Sequence, residues 1–207
     1  MAKHVQYQLS RNVSLALLPP SNIAAPIEAV RRLHDKQFDR WPAHINLLYP
    51  FFESPSEPSV QGTDPVLKQR LRTRIQEAAR KIQPFHISLN ANPPSVLEHS
   101  RVCTVCLKPN TTAVHDLQAT LQADLLHVHP DRRPLKPSIL VGRAASWVDA
   151  DRVSADIKRN VIDFLSESGK GNAPIALDWL VDRVHVIERK NEKDRFRIIG
   201  TIELGKE

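Results

Sequence analysis

The order of predicted helices and strands repeats once along the chain, and this repeat limits the folds that the sequence can adopt. The first half predicts a helix, a motif strand over 44–51, a helix and two strands. The second half predicts a helix, a motif strand over 137–143, a helix and two strands. Such a mixture favours an α/β (α+β) fold. The repeat predicts a single bilobal domain over residues 1–207, in which two lobes, each with an antiparallel sheet and outer helices, surround a central cleft.

The segment from Trp41 to Phe51 predicts a buried strand that starts at a histidine. Alternate side chains of a strand point to one face, so His44, Asn46 and Leu48 are expected to share a face. An imidazole can move a proton and an amide can hold an oxygen atom, so His44 and Asn46 can both touch one bound group. Trp41 and Tyr49 are candidates for stacking on a base, and burial in the core is the alternative for both.

Composition and charge favour a globular protein with an anionic partner. Hydrophobic residues make up 41% of the 207 residues and charged residues 25%, which is ordinary for a soluble protein. The net charge of +6 suits RNA or a nucleotide. Aromatic residues make up only 5%, which argues against an extended base-stacking surface. With neither an apolar run of membrane-spanning length nor an N-terminal signal core, we expect a cytoplasmic or nuclear monomer without membrane contact.

The two cysteines, Cys103 and Cys106, have the spacing of a redox motif or half of a zinc site. They lie in the alternating β-branched run 101–107, which predicts a strand. Residues three apart on a strand face opposite sides, so the two thiols are poorly placed to share a metal ion. We therefore expect two structural cysteines and no metal site.

Turn and capping signals predict the remaining elements. Pro26 is expected to open the first helix, where its missing N–H costs nothing, and Asp64 with Pro65 to cap the second. The strand from Pro84 to Leu89 is expected to form a hairpin with the run 101–107. Further predictions are a helix after Thr112, a helix over about 149–168, and a final strand pair over roughly 175–189 and 195–204.

The segment Arg40–Phe51 resembles one branch of the 2H phosphoesterase superfamily of 2'-5' RNA ligase-like proteins and cyclic nucleotide phosphodiesterases. Pro84–Ile87, the strand after Glu98 and the terminal run Ile198–Leu204 also fit that family. Its members carry two His-x-Thr/Ser motifs that face each other across the cleft, and some have Asn in the position of Asn46. The resemblance implies phosphodiester chemistry on 2',3'-cyclic or 2'-5'-linked phosphates without a metal or cofactor. One imidazole acts as base, the other protonates the leaving oxygen, and two hydroxyls hold the phosphate.

The second motif departs from the family pattern. In the segment 137–142, Ser138 stands in the histidine position and Leu140 in the hydroxyl position, so both residues of that motif are degenerate. Losing one acid–base partner typically lowers a rate by about 100- to 10,000-fold. Arg143 is expected on the strand face opposite Ser138 unless the strand contains a bulge, so it is a poor substitute.

Three further histidines could supply the missing acid–base group. His185 lies in the terminal strand pair, which the repeat matches to the region of His86 in the first lobe, and this argues against a catalytic role. His127 and His129 precede the second motif strand on a loop and could fold back to the cleft.

Two classes of function follow. The first is a pseudoenzyme that binds RNA, a nucleotide or a protein partner through the retained fold. The second is a weakly active, metal-independent RNA 2',3'-cyclic phosphodiesterase or 2'-5' RNA ligase-like enzyme that uses His44. An unrelated α/β domain is a third possibility. In the RNA-binding case, Arg31, Arg32 and basic residues of the second helix such as Arg70, Arg72 and Arg74 could contact the RNA backbone. A solvated face is the more common reason for such a run of basic residues on a helix.

Overall fold

The structure is a computed structural model that describes residues 8–57, 65–99, 102–125, 135–171 and 173–206. Within them the chain forms helices α1 (Ser21–His34), α2 (Gln69–Ala79), α3 (Ala113–Leu125) and α4 (Trp147–Glu167). The strands are β1 (Leu9–Ser10), β2 (Val13–Leu17), β3 (Ile45–Leu48), β4 (Phe51–Phe52), β5 (Phe85–Asn90), β6 (Ser95–His99), β7 (Val102–Leu107), β8 (Ile139–Ala144), β9 (Ala176–Val181), β10 (Arg183–Glu188) and β11 (Arg197–Glu203). Helices combined with antiparallel sheets confirm the α/β (α+β) class.

The two motif strands lie at comparable places in two different sheets. A four-stranded sheet has the order β11-β10-β2-β3, and a three-stranded sheet has the order β6-β7-β8. His44 and Ser138 each come directly before the first residue of the last strand in these orders. The likeness supports the predicted repeat, while the predicted single bilobal domain over residues 1–207 stays a prediction.

A β-bulge interrupts each of these motif strands. On β3, Asn46 pairs with Ala16 and Leu48 with Leu15, so β3 carries one extra residue. Leu48 therefore turns into the core with Leu15. The prediction that Leu48 shares a face with His44 and Asn46 is wrong, because a bulge reverses the alternation of side chains along the strand.

Two predicted strand arrangements are also wrong. β7 pairs with β6 and β8, whereas β5 pairs with β9. The predicted strand over 175–189 divides at Asp182 into β9 and β10, which belong to different sheets. The sequence pattern identified extended segments correctly but not their partners, since pairing is decided by contacts between segments distant in sequence.

Two helices begin elsewhere than predicted. α1 starts five residues before Pro26, and the Ala24 N–H donates to the Pro20 carbonyl over 2.8 Å, so the first turn forms ahead of the proline. α2 starts only at Gln69, because Leu67 is extended and forms an isolated bridge with Ser56. Asp64, the predicted cap, lies outside the described residues.

Helices from one half of the chain cover motif strands of the other half. α1 packs against β8 and α4, whereas α3 packs against β3, and α2 against α3 and β11. The buried residues of α2, α3 and α4 recur at helical spacing and belong to one continuous core cluster. Burial of each large aliphatic side chain stabilises the fold by about 1.5–3 kcal/mol. Because the packing crosses between the halves, the core fixes the position of β3 relative to β8.

Candidate functional site

The ends of β3 and β8 meet at one cavity of about 340 Å³. The structure brings together there five of the predicted site residues: Trp41, His44, Asn46, Ser138 and Leu140. The rest of the lining consists of Arg31, Gln37, Pro42, Leu97, Thr104, Cys106, Leu135, Lys136 and Arg143. The volume lies at the lower end of the range for small-molecule sites.

His44 is held as a neutral base. Its Nδ1 lies 2.7 Å from the Pro42 carbonyl oxygen. A carbonyl only accepts, so Nδ1 carries the proton and the Nε2 lone pair is left for another partner. Burial lowers the pKa of His44 to about 4, the positive charge of Arg31 adds to this, and the Pro42 hydrogen bond opposes it. The ring stacks on Trp41 with centroids 4.6 Å apart. At neutral pH this imidazole can accept a proton but has none at Nε2 to give.

Asn46 presents hydrogen-bond donors. The Ser14 hydroxyl, which is fully buried, donates to Asn46 Oδ1 over 2.6 Å. With its oxygen bonded to Ser14 on the neighbouring strand, the amide has its two Nδ2 hydrogens for a group in the cavity. An N–H donor suits a phosphate oxygen, so Asn46 can take the place of a hydroxyl anchor.

The second motif supplies few hydrogen-bond donors for a phosphate. Ser138 Oγ makes a long 3.4 Å hydrogen bond to the Lys136 carbonyl oxygen. Leu140 contributes hydrocarbon, and its partner across the strands is Cys106. Burial raises the pKa of the Cys106 thiol, so it stays protonated at neutral pH. Among the described lining residues, His44 is therefore the one group that titrates near neutral pH in its unperturbed form.

A bulge on β8 brings Arg143 to the cavity. Leu140 pairs with Cys106 and Gly142 with Val105, so Val141 is the extra residue. Arg143 then pairs with Thr104 and lines the cavity together with Ser138. The sequence prediction placed Arg143 on the opposite face in the absence of a bulge, and the bulge overturns that placement. A glycine inside a strand pattern often marks a bulge, and Gly142 was the available signal.

The two cysteines confirm the predicted opposite orientation. Cys103 is part of the core cluster, Cys106 lines the cavity, and both are free thiols. The described residues contain no group of three or more histidine, cysteine or acidic side chains able to hold a metal ion. None of the helices described is both long and apolar enough to cross a membrane.

Two predicted site residues do not line this cavity. Tyr49 donates from its hydroxyl to the Arg11 carbonyl and packs edge-on against Trp41. His185 lies on β10, directly opposite Ala16, which in turn is opposite Asn46. His185 is therefore on the same sheet face as Asn46 but two strands away.

His185 is held within its own sheet. Its Nδ1 lies 3.1 Å from Thr201 Oγ1, and burial lowers the pKa of His185 to about 4. The predicted equivalence with the region of His86 does not hold, because His86 belongs to β5 in the β5–β9 pair. The two loop histidines, His127 and His129, lie outside the described residues.

A buried charge network supports the loop before His44, and sequence reasoning missed it. Arg31 is only 2% exposed and bonds Asp35 Oδ2 at 2.7 Å and Glu28 Oε1 at 3.1 Å. The same Glu28 oxygen accepts the Ala43 N–H over 2.5 Å. Arg31 is thus a buried cation in the wall of the cavity, held by two carboxylates, which corrects its prediction as a surface contact for RNA. The i, i+3 and i+4 spacing on α1 was the signal.

Comparison with known proteins identifies the family. The profile of the 2'-5' RNA ligase superfamily matches residues 19–193, so the chain belongs to that superfamily. The resemblance to 2H phosphoesterases seen in the sequence is thereby confirmed. No curated protein matches the chain in sequence.

Solved structures share the fold. Escherichia coli LigT complexed with 3'-AMP is 15% identical, with a TM-score of 0.54 over 95% of this chain and 99% of that one. LigT complexed with NADP+ is 16% identical, with a TM-score of 0.51 and the same coverage. A structure described as a phosphoesterase is 16% identical, with a TM-score of 0.53 over 96% and 99%. At these identities the likeness concerns the fold alone.

Proposed function

We propose that the protein is a degenerate member of its superfamily that binds the phosphate of a ribonucleotide or RNA end in the cavity and turns it over slowly or not at all. The observation that carries this proposal is the composition of the cavity. His44 and Asn46 of the first motif and Ser138 and Leu140 of the second all line it, and Lys136 and Arg143 add positive charge. LigT, with the same fold, is described in a complex with 3'-AMP, which supports a phosphate-bearing ligand.

The anionic ligand is supported by the donors around the cavity. The Asn46 amide, the Lys136 ammonium and the Arg143 guanidinium are the donor types that proteins use for phosphate oxygens. Ser138 can add a hydroxyl. His44, neutral at pH 7, can accept a hydrogen bond from a ribose hydroxyl or from a protonated phosphate oxygen.

Slow turnover is expected because the cavity supplies a base for the reaction but lacks an effective acid. Opening a 2',3'-cyclic phosphate requires a base to take a proton from water and an acid to protonate the departing ribose oxygen. His44 Nε2 can serve as the base. A serine hydroxyl does not titrate near neutral pH, and an ammonium group is in general a far weaker acid than an imidazolium. The missing acid is expected to cost about 100- to 10,000-fold in rate.

The second candidate is a weakly active 2',3'-cyclic phosphodiesterase. It is favoured by one observation, the unprotonated Nε2 of His44 at a cavity that also holds the cation of Lys136. In this case Lys136 would protonate the leaving oxygen. The rate would then rise with pH as His44 deprotonates, reaching a plateau above its pKa of about 4.

Calorimetric titration with 3'-UMP and turnover of uridine 2',3'-cyclic phosphate together test both candidates. We expect saturable 3'-UMP binding that Lys136→Ala weakens about tenfold or more, as for the loss of a charge-assisted hydrogen bond. Lys190→Ala, an exposed lysine on another surface, is the matched control. Absence of phosphate binding, together with co-purification of a protein partner, contradicts the proposal. Rapid turnover abolished by His44→Ala contradicts the pseudoenzyme and supports an active enzyme.

A further inference from the structure

A second, larger depression lies beside the cavity, between the C-terminal part of α1 and the junction of β8 with α4. Its volume is about 1080 Å³, above the range of about 300–1,000 Å³ that small-molecule sites usually occupy. Arg143 lines both the cavity and this groove, so the two adjoin. A depression of this size suits an extended ligand, such as a segment of polypeptide, better than a small molecule.

Aliphatic side chains are exposed in the groove. Leu33, on the last turn of α1, is 74% exposed, and Val102, at the start of β7, is 43% exposed. Both line the groove, as does the exposed Ala145. Exposed apolar side chains scattered singly are common, whereas apolar side chains grouped in a groove with a polar rim are typical of interaction sites.

Exposed cations lie around this aliphatic surface. Four of them line the groove: Arg32, Lys36, Arg143 and Arg152. Arg152 lies 3.8 Å from Asp149, but its side chain is 69% exposed, and an exposed pair of that length binds weakly. These cations are therefore available to anionic groups of a ligand.

The acidic residues of the groove offset this charge only in part. The Asp35 side chain is fully buried and bonded to Arg31. The Asp149 carboxylate accepts from the Ser146 hydroxyl over 2.7 Å, and the Asp149 N–H donates back to Ser146 Oγ. Asp39 is the one exposed acid among the described lining residues. The groove therefore carries net positive charge and favours an anionic ligand.

The groove is preformed. His34 Nε2 lies 2.9 Å from Asp156 Oδ2, which joins the end of α1 to α4. His34 also packs against β8, since a Cβ added to Gly142 would lie 2.8 Å from His34 Cβ. A rigid surface loses little conformational entropy when a ligand binds, so contacts of exposed groups can add up to measurable affinity.

The lining favours a peptide over a nucleic acid. Single-stranded RNA binds by stacking its bases on aromatic rings and by contacts of cations with phosphates. Phe38 is the one Phe, Tyr or Trp among the described lining residues. The guanidinium groups of Arg32 and Arg195 each lie 5.5 Å from the centre of its ring, so the ring is already engaged. Exposed leucine and valine side chains instead suit the aliphatic side chains of a peptide.

We propose that this groove is a docking site for an acidic segment of a partner protein, in which carboxylates are interspersed with aliphatic side chains. The carboxylates bind Arg32, Lys36 and Arg152, and the aliphatic side chains cover Leu33 and Val102. This docking does not depend on phosphate binding in the cavity.

Selection of a random twelve-residue peptide library on the full chain tests the proposal. We expect the selected sequences to be enriched in Asp and Glu together with Leu, Ile and Val. Fluorescence anisotropy then measures the affinity of the consensus peptide for variants of the protein. Leu33→Ser should weaken binding about tenfold or more, because an apolar contact is lost. Arg32→Glu with Lys36→Glu should also weaken it about tenfold or more, through repulsion of like charges.

Two control variants match these changes outside the described groove. Ile198→Ser alters an exposed isoleucine of β11, and Arg80→Glu with Lys170→Glu reverses an exposed arginine and an exposed lysine. Both should leave the affinity for the consensus peptide unchanged. Lys136→Ala, in the cavity, should also leave it unchanged, although the proposed function predicts weaker 3'-UMP binding in that variant.

The proposal is wrong if the library yields no acidic and aliphatic consensus, or if groove variants and control variants weaken the consensus peptide equally. It is also wrong if decaglutamate binds as tightly as the consensus peptide, since the groove then recognises charge alone. Displacement of the peptide by an equal concentration of decauridylate would make the groove a nucleic-acid surface and likewise overturn the proposal. The binding of 3'-UMP in the cavity is decided separately from all of these outcomes.

Discussion

Acidification is expected to destabilise the fold through two histidines. Burial lowers the pKa values of His44 and His185 to about 4, whereas an unfolded histidine titrates near 6.5. Between these values the unfolded chain binds more protons than the folded chain, so stability falls as the pH falls. The contribution of the two neutral histidines to the free energy of unfolding is fully present above pH 6.5. It declines between pH 6.5 and 4 and does not decline further below pH 4.

The size of the effect follows from the two shifts. A shift of one pKa unit corresponds to about 1.4 kcal/mol, so each histidine accounts for about 3 kcal/mol over the whole window. At pH 5 the loss is about 2 kcal/mol for each histidine, or about 4 kcal/mol for both. With a urea dependence of about 2 kcal/mol per molar, the unfolding midpoint should fall by about 2 M between pH 8 and pH 5.

Urea unfolding at pH 8, 7, 6 and 5 measures this, with His44→Asn, His185→Asn as the comparison variant. The asparagine amide can occupy the position of Nδ1, which bonds Pro42 in one case and Thr201 in the other, but it does not titrate. The double variant should lose about 4 kcal/mol less than the parent from pH 8 to pH 5. Equal losses in parent and variant would refute the reasoning, because the carboxylates common to both would then account for the whole pH dependence.

Three further outcomes are expected. Ser138→His with Leu140→Thr should raise hydrolysis of uridine 2',3'-cyclic phosphate by about 100-fold or more, because it restores an acid and a phosphate anchor. Leu140→Thr alone should not raise the rate. Chromatography of the product measures both, and equal rates for the double variant and the unmodified protein would contradict this. Glu28→Ala should leave the Ala43 N–H and Arg31 without their shared acceptor and lower the stability of the fold by about 1–3 kcal/mol. Thermal unfolding measures this loss, and Glu28→Gln should restore part of it. Gly142→Ala should cost about 1–3 kcal/mol, since the new Cβ would lie 2.8 Å from His34 Cβ; unchanged stability would mean that α1 moves away at little cost.

The amino-acid sequence by itself determined the helices and the motif strand. The apolar stripes of α3 and α4 recur at the helical period, and such local patterns do not depend on what packs against them. The same holds for His44 and Asn46, because the alternation of a strand places residues two apart on one face. The substitutions Ser138 and Leu140 are equally plain in the sequence, whereas their role in function remains a proposal.

Only the tertiary structure decided the partners of each segment. The bulges that send Leu48 inward and bring Arg143 to the cavity depend on the register of neighbouring strands, which is set by contacts across the whole core. The sequence grouped Arg31 with exposed arginines that could contact RNA, yet packing of α1 against β8 and α4 buries it between Glu28 and Asp35. A local sequence pattern predicts which face of a strand or helix a residue lies on. Strand pairing and burial depend on contacts between segments far apart in the chain, and these contacts bring the cation of Arg143 to the cavity.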